Sequence, residues 1–471
     1  MKKLIYISLG LLFLNGCKSA KKAYDRLYSD YVETYELPTG NNLYRDTAST
    51  DGYLALGDTV NFGNTPWQQV FTDPKLQSLI SRAIEQNTNM KVADETIYQA
   101  SQGLKVSRMA YLPQIVFSPQ GSLSSFDLGA AVKTYSLPLS VSWQADVFGN
   151  LRNAKKQSEM TVLQAKAAKQ ATQTSIISTV ANLYYTLIML DEQLETTEQT
   201  LAIWKKNVEV MKLMKEAGIT NNAAVSQAQA NYIELTSSVP TLKKSIRETE
   251  NAICYIMHES PHSISRASSF NAAGYPRKIS VGIPLQLLSC RPDVKIAELQ
   301  MAYAFYGRNK AEAAFYPNIT LSGTLGWTNS AGTVSLNPGK MLANAVAQIV
   351  QPLFMKGQLT ANLHISESEQ RKAQLNFEDA LLNAGQEVSN YLMAYQTAIN
   401  KEEIRRKEVA ELELALKRTK LLFTHTASTS YLEKLTAESS LLNAQLSLTN
   451  DKFERIQAAI NLYAALGGGR E

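Results

Sequence analysis

Cysteine and histidine are scarce in this chain: three Cys and four His in 471 residues. Three Cys, at positions 17, 254 and 290, are too few for a disulfide framework. Cys254 and Cys290 read as inert buried thiols, with a pairing between them left open. The histidines, His258, His262, His364 and His425, form no Cys/His cluster at zinc spacing. His258 and His262 stand four apart, but Pro261 between them argues against a shared helix face. No metal site and no cofactor are expected. There is no Walker loop, no GxSxG and no HExxH. The one glycine run, Gly467-Gly468-Gly469, has no helix after it to cradle a phosphate. A net charge of +5 with no basic-aromatic cluster excludes a nucleic-acid partner. Nothing here calls for an enzyme.

What is present begins with MKKLIYISLGLLFLNGC. Lys2 and Lys3 precede an apolar run from Leu4 to Leu14, too short to span a membrane as a helix and shaped like a secretory signal. Its end, Leu14-Asn15-Gly16-Cys17, resembles the lipobox of bacterial lipoproteins, which makes residues 1–16 a signal peptide and Cys17 the acylated residue. Lys18 and Ser19 follow with no Asp at the second mature position, which resembles an outer-membrane address. From there to about Pro66 the text is polar, and residues 17–66 read as an extended, lipid-anchored N-terminal extension.

The body is organised around Thr134–Val147, TYSLPLSVSWQADV. Odd positions are apolar: Tyr135, Leu137, Leu139, Val141, Trp143, Ala145 and Val147. Even positions are polar or Pro. Period 2 held over fourteen residues is a strand with one oily and one wet face, long enough to cross a bilayer when tilted, which takes about 9–11 residues. A soluble sheet packed on a core gives the same alternation. A partner strand precedes it, with Ile115, Phe117 and Leu123 on one face and Val116 and Pro119 as blemishes, so 114–147 reads as a hairpin. Helical text from about Lys75 to Ala110 leads in, and a helix over 151–217 leads out. A return helix over 223–257 follows the turn Gly218-Ile219-Thr220-Asn221-Asn222.

The same order returns. Helical text from Pro292 breaks at Tyr316-Pro317-Asn318. A hairpin over 318–354 carries Ile319, Leu321, Leu325 and Trp327 on its oily face. A long helix over 359–423, a polar turn from His425 to Ser430 and a return helix over 431–465 complete it. Gly149 maps to Gly357, Val180 to Val388 and Asn182 to Asn390, all at an offset of 208. This is an internal duplication, with a first repeat over 67–284 and a second over 285–471. The first long helix shows a seam, Ile176, Val180, Leu183, Leu187, Leu190, Leu194, Thr197, Leu201, Trp204, Val208, Met211, stepping by four and three as coiled coils do. At 1.5 Å per residue it spans ~100 Å. Its faces carry Lys, Glu and Gln, so it stands in water rather than in lipid.

Four membrane-type strands cannot close a barrel, which needs at least about eight, and an open edge in lipid leaves backbone groups unpaired. The chain must therefore oligomerise, and three copies supply twelve strands. The expected fold is mainly α with a pair of membrane β-hairpins. Its long coiled-coil helices form a periplasmic α-barrel, and each chain lends four strands to a trimeric twelve-stranded outer-membrane β-barrel. On that reading Leu137, Leu139, Val141, Trp143, Leu321, Leu325 and Trp327 face lipid, and Ser140 and Ser142 face the lumen.

Several stretches resemble the TolC-like outer-membrane factors, in the subgroup of outer-membrane efflux lipoproteins. The most specific is Gly282-Ile283-Pro284-Leu285-Gln286-Leu287-Leu288 with Arg291-Pro292-Asp293-Val294, Ala297-Glu298 and Ala313-Ala314-Phe315-Tyr316-Pro317. Ser142 to Arg152, Pro352-Leu353-Phe354 with Gly357 and Leu359, and Asn461 to Gly469 add to it. Cys290 departs from the family, whose members usually carry Arg before Arg-Pro-Asp. The resemblance implies a passive homotrimeric duct for small molecules in a tripartite efflux system. Its partners would be a periplasmic adaptor and an inner-membrane pump, most often of the proton-driven resistance-nodulation-division class. It also implies a gate and docking surface at the periplasmic tip: Gly218, Ile219, Thr220 and Asn221 in one turn, Ser428, Thr429 and Ser430 in the other, with Glu433 beside it. Many relatives place an Asp where Thr429 stands, so a weaker cation preference is expected here. Two other readings stay open on the residues: the duct of a type I protein secretion system, and a periplasmic coiled-coil structural lipoprotein.

The Cys17→Ser protein is expected to lose acyl labelling and to run as the unprocessed precursor. Normal labelling of that variant would contradict the lipobox.

Overall fold

The computed structural model describes residues 62–125, 131–274, 291–328, 340–425 and 431–469. Cys17, Cys290, most of the N-terminal extension, the Gly282–Leu288 motif and the turn with Ser428, Thr429 and Ser430 lie outside these residues. The helices are α1 (Pro74–Gln86), α2 (Thr88–Met109), α3 (Asn150–Glu216), α4 (Asn222–Ile256), α5 (Pro292–Ala313), α6 (Gln358–His425) and α7 (Tyr431–Ala465). The strands are β1 (Gln114–Phe117), β2 (Gln120–Ser124), β3 (Val132–Ala145), β4 (Asn318–Thr328) and β5 (Lys340–Val350). The duplication shows in lengths: 22 residues in both α2 and α5, 67 in α3 against 68 in α6, and 35 in both α4 and α7.

Two compact units divide the chain. The first holds Glu95–Lys166 and Ile296–Asp379, and with them the whole sheet. Its strand order is β1-β3-β4-β5, all antiparallel, with β2 also on β3. Five strand segments thus stand where four strands were expected, because the first strand is cut in two. The cut falls at Ser118 and Pro119, opposite Pro138. Neither proline has an N–H to give the ladder, and the Ser118 N–H donating to the Pro138 carbonyl at 3.2 Å is the bond that crosses the gap. On the other side of β3, Gly326 pairs with Pro138. A Cβ at Gly326 would lie 2.3 Å from the Leu137 carbonyl oxygen and 2.8 Å from the Pro138 Cα, so only glycine fits.

Both long helices start from a glycine in the left-handed region, Gly149 at φ 81° and Gly357 at φ 80°, where a side chain costs about 1–2 kcal/mol. In the first repeat the Asp146 carboxylate accepts from the Leu151 and Arg152 N–H groups at 2.9 and 2.8 Å, satisfying two orphan donors of α3.

The second unit holds Gly40–Asp94, Ala167–Lys295 and Ala380–Glu471. Its core gathers Phe71, Leu76, Ile80, Ile177, Tyr184, Leu187, Ile188, Ile253, Met257, Leu462 and Tyr463, none more than 1 % exposed. The coiled-coil seam of α3 is where the sequence places it, with Ile176, Val180, Leu187, Leu190, Trp204, Val208 and Met211 all buried. The entering helix is two helices rather than one. Asn87 breaks it, donating from its side chain to the Ile256 carbonyl at 2.8 Å and accepting from the Asn89 N–H at 2.8 Å. The expectation of an extended tail to Pro66 is also corrected. Phe62 is buried, and a Cβ at Gly63 would lie 2.2 Å from the Leu466 carbonyl oxygen, so the packed body already includes them. The terminal glycines belong to the same packing. Gly468 lies against the Tyr463 ring, and the Gly468 and Gly469 carbonyls accept from Thr174 Oγ1 at 2.6 Å and Gln173 Nε2 at 2.9 Å. Cys254 is a free, buried thiol.

Gly326→Ala is expected to unpair β3 from β4 and to lower the temperature at which the folded sheet is lost in detergent. Gly121→Ala, whose Cβ would meet nothing closer than 4.0 Å, serves as the silent control. Equal melting of the two variants would contradict the close approach.

Candidate functional site: a two-faced sheet and a helical tip

Strand register decides which residues share a face. Leu137 pairs with Trp327, Leu139 with Leu325, Val141 with Gly323, Trp143 with Leu321 and Ala145 with Ile319. Continuing across β4 to β5, Trp327 meets Met341, Leu325 meets Ala343 and Ile319 meets Ile349. Ile115 and Phe117 join through Val141 and Leu139. All seven strand residues singled out in the sequence therefore lie on one apolar face. That face is bare: Leu137, Leu139, Phe117, Leu321, Leu325, Trp327, Met341 and Ile349 are all exposed. The opposite face pairs hydroxyls and amides, Ser136 with Thr328, Ser140 with Thr324, Ser142 with Ser322 and Gln144 with Thr320. Val116, Leu342, Val346 and Val350 interrupt it on the outer strands.

Aromatic residues bracket the oily face. Trp143 marks one end and donates from Nε1 to the Tyr111 carbonyl at 2.9 Å. Just beyond it Phe148 and Tyr316 stack, 4.9 Å apart and 11° from parallel. Tyr135 and Trp327 mark the other end. The Trp327 and Trp143 rows stand six residues apart along β3, ~20 Å at the usual strand rise.

In the second unit, the turn Gly218 to Asn221 closes α3 onto α4. Gly218 takes φ 71°, and the Gly218 and Ile219 N–H groups donate back to the Lys215 and Met214 carbonyls at 3.0 and 2.8 Å, an ending of the Schellman type. Asn221 then caps α4, its Oδ1 accepting from the Ala224 N–H at 3.0 Å. Ile219 is exposed, as is Glu433 in the first turn of α7.

Sequence reading missed the group behind these turns. Trp204, Val208 and Met211 of α3 and Ala228 of α4 pack with Tyr431 and Leu435 of α7. Among them the Glu438 carboxylate, 5 % exposed, accepts from Asn207 Nδ2 at 2.6 Å. Lys420 and Lys434 flank it at 3.6 and 4.0 Å, and Lys434 donates to Asn207 Oδ1 at 2.9 Å. Burial pulls the Lys434 ammonium below its usual range, with Glu438 opposing and Lys420 adding to the shift. Burial, and then Glu438, push the Tyr431 phenol up to about 12. The sequence did carry a signal: Tyr431, Leu435, Glu438 and Leu442 step by four, three and four, so Glu438 occupies a seam position.

Arg291 is likewise structural. Its guanidinium, 5 % exposed, bonds Asp293, the Ala465 carbonyl at 2.8 Å and Glu387 at 2.6 Å, tying the start of α5 to the middle of α6 and the end of α7. Among the described residues no group of His, Cys, Asp and Glu could hold a metal, and no helix is long and apolar enough to cross a membrane.

The model of the outer membrane efflux proteins matches residues 79–257 and 283–468. The chain belongs to the outer membrane efflux protein family. Among curated relatives, the cation efflux system protein CusC of Escherichia coli (strain K12) is 28 % identical over 424 residues, covering 89 % of this chain and 92 % of that one. The outer membrane lipoprotein SilC of Salmonella typhimurium, so named as probable, is 25 % identical over 472 residues, 100 % and 99 % of the two chains. The solved structure of CusC superposes with a TM-score of 0.79 at 26 % identity, over 86 % of this chain and 95 % of that one. The open-state channel MtrE of Neisseria gonorrhoeae shares the fold, with a TM-score of 0.81 at 23 % identity over 90 % and 96 % of the chains. This chain is thus an efflux protein of the outer membrane. Its family is one of channels rather than enzymes.

Glu438→Ala leaves the Asn207 amide without its acceptor and removes the carboxylate facing Lys420 and Lys434, and is expected to cost about 2 kcal/mol locally. Faster proteolysis at Gly218–Asn221 in the intact efflux protein reads this loss. Cleavage at the wild-type rate would contradict it.

Proposed function

We propose that three copies of this efflux protein close their sheets into one twelve-stranded barrel and that their long helices form the periplasmic tunnel of a passive duct for small molecules. The observation that carries this is the exposed apolar face with its aromatic ends, on a sheet whose outer strands pair with no further strand among the described residues. An oily band edged by aromatic residues matches the outward surface of membrane barrels. Closure with further copies pairs the edges, which lipid requires. The hydroxyl face then lines water. Helices of 67 and 68 residues supply ~100 Å of reach into the periplasm.

In this reading a periplasmic adaptor and an inner-membrane pump of the resistance-nodulation-division class are the partners, and the pump supplies the energy. Acylated Cys17 adds an anchor, though a single chain holds a membrane only marginally. The turns at Gly218–Asn221 and Ser428–Ser430, with Glu433 beside the second, are the docking surface and gate.

Two substitutions in adjacent residues test the orientation. Leu139→Arg is expected to impair assembly in the membrane by about 2–4 kcal/mol near mid-bilayer. Ser140→Arg is expected to assemble and to change single-channel conductance. Equal damage from both would point to a soluble sheet with a core on each side.

A further inference from the structure

In the unit that holds the sheet, the two repeats correspond residue for residue. α2 and α5 begin and end 204 residues apart, and α3 and α6 begin 208 apart. The hairpins obey the same two offsets, since Gln114 pairs with Ser142 in the first and Asn318 with Val350 in the second. One side-chain bond is repeated as well. Trp143 Nε1 donates to the Tyr111 carbonyl at 2.9 Å, and at the equivalent positions Gln351 Nε2 donates to the Phe315 carbonyl at 3.0 Å. A contact made where the first repeat leaves its hairpin therefore translates to the second.

Inside the chain, the exit of the first repeat meets the entry of the second. β3 pairs with β4, Ser136 with Thr328 and Ser140 with Thr324 on the wet face, Leu137 with Trp327 and Val141 with Gly323 on the oily one. Alongside, α3 lies on α5. Gln157 Nε2 donates to the Tyr303 carbonyl at 3.3 Å, and Gln164 Nε2 to Gln300 Oε1 at 3.0 Å. A Cβ at Gly307 would lie 2.8 Å from Gln157 Nε2, so glycine leaves room for that amide.

The exit of the second repeat is β5 and α6, and the entry of the first is β1–β2 and α2. These strands stand at opposite edges of the sheet, so another copy is needed to bring them together. Shifting the β3–β4 register by the two offsets sets Asn344 against Ser124 and Gln348 against Gln120 on the wet face. It sets Ala345 against Leu123 and Ile349 against Pro119 on the oily face. Val346 with Ser122 and Val350 with Ser118 are mixed pairs. A slip of one residue would set wet against oily along the whole contact.

The helices follow the strands. Ile365 takes the place of Gln157, and Gly103 that of Gly307. A Cβ at Gly103 meets nothing within 4 Å in one chain; the equivalence fills that space with Ile365 of another copy. Lys372 takes the place of Gln164, and Thr96 that of Gln300. Here the two contacts differ in charge. Glu95 stands beside Thr96 and has no ion-pair partner among the described residues. Lys372 bonds Glu369 at 2.9 Å in a pair exposed on both sides, which holds it weakly.

We propose that the copies join by repeating the internal contact, β5 and α6 of one against β1–β2 and α2 of the next, and that Lys372 then stands between Glu369 of its own helix and Glu95 of the next copy. The pairing rests on the closure of sheets proposed above. The internal contact is neutral at this point, so sensitivity to salt belongs to the contact between copies alone.

Oxidative cross-linking of the full-length protein in the outer membrane tests the register. Gln348→Cys with Gln120→Cys is expected to give covalent dimers and trimers on non-reducing gels. Gln348→Cys with Ser124→Cys, displaced by ~13 Å along the strand, is expected to link about tenfold less. Equal linking, or more in the displaced pair, would overturn the register. Exchange of charge tests the ion pair. Glu95→Lys is expected to lower the share of trimer extracted in detergent about fivefold, and adding Lys372→Glu to restore it to within about twofold. A double variant no better than the single would overturn the ion pair. Should the cysteine variants fail to reach the membrane, the exchange of charge decides alone. Wild-type trimers that link only through the displaced pair overturn this pairing and leave the closure standing; a wild type that is a single chain overturns both.

Discussion

A sheet with free edges and a bare apolar face cannot remain as it is in any solvent. In water the oily face is exposed over all of its width, and in lipid each unpaired N–H and C=O at an edge costs several kcal/mol. Each β5 and each β1–β2 edge needs a partner, and another copy of the chain can give both at once. The features around the sheet fit that demand. Pro119 and Pro138 sit at the same break, so the missing donors of the two strands coincide rather than adding up. Gly326 lets β4 approach β3 at that point. Trp143, Trp327 and Tyr135 place amphipathic rings at the ends of the oily band, where one side of a ring is dry and the other wet.

Duplication explains the helices. One set of instructions, a helix of 22 residues, a hairpin, a helix of about 67 and a return of 35, is written twice. Gly149 and Gly357 start the two long helices with the same left-handed residue. A duplicated chain is free to let its halves diverge where equivalence is not needed. Charged pairs stand in α6–α7 where hydroxyls stand in α3–α4, and a glutamate occupies the seam of α7. Buried charges of this kind are poor sources of net stability. Their value lies in fixing which helices meet and at what register.

The repeating features were legible in the sequence. Period 2 in the strands, the four-three seam of α3 and the offset of 208 are statements about many residues at once, and single exceptions do not erase them. The turn at Gly218 could be read because left-handed glycine and an Asn cap are local devices. What could not be read was set by contacts distant in sequence. Phe62 and Gly63 look like tail, and only Leu466 and Tyr463 make them core. Asn87 breaks a helix because the Ile256 carbonyl is there to bond. Arg291 stands out as a motif residue, but its work is seen only with Ala465 and Glu387 beside it. The split of the first strand is an intermediate case: Pro119 was visible as a blemish, whereas its position opposite Pro138 depended on register. The second turn, with Thr429, lies outside the described residues, and its role rests on the proposal alone.

The claim on which the account turns is that the sheet is completed by other copies of the chain within a membrane. Native mass spectrometry of the protein extracted from the outer membrane in detergent tests it most directly. Three chains per particle, insoluble once detergent is removed, is the predicted result. A single chain that stays folded and soluble without detergent would contradict it.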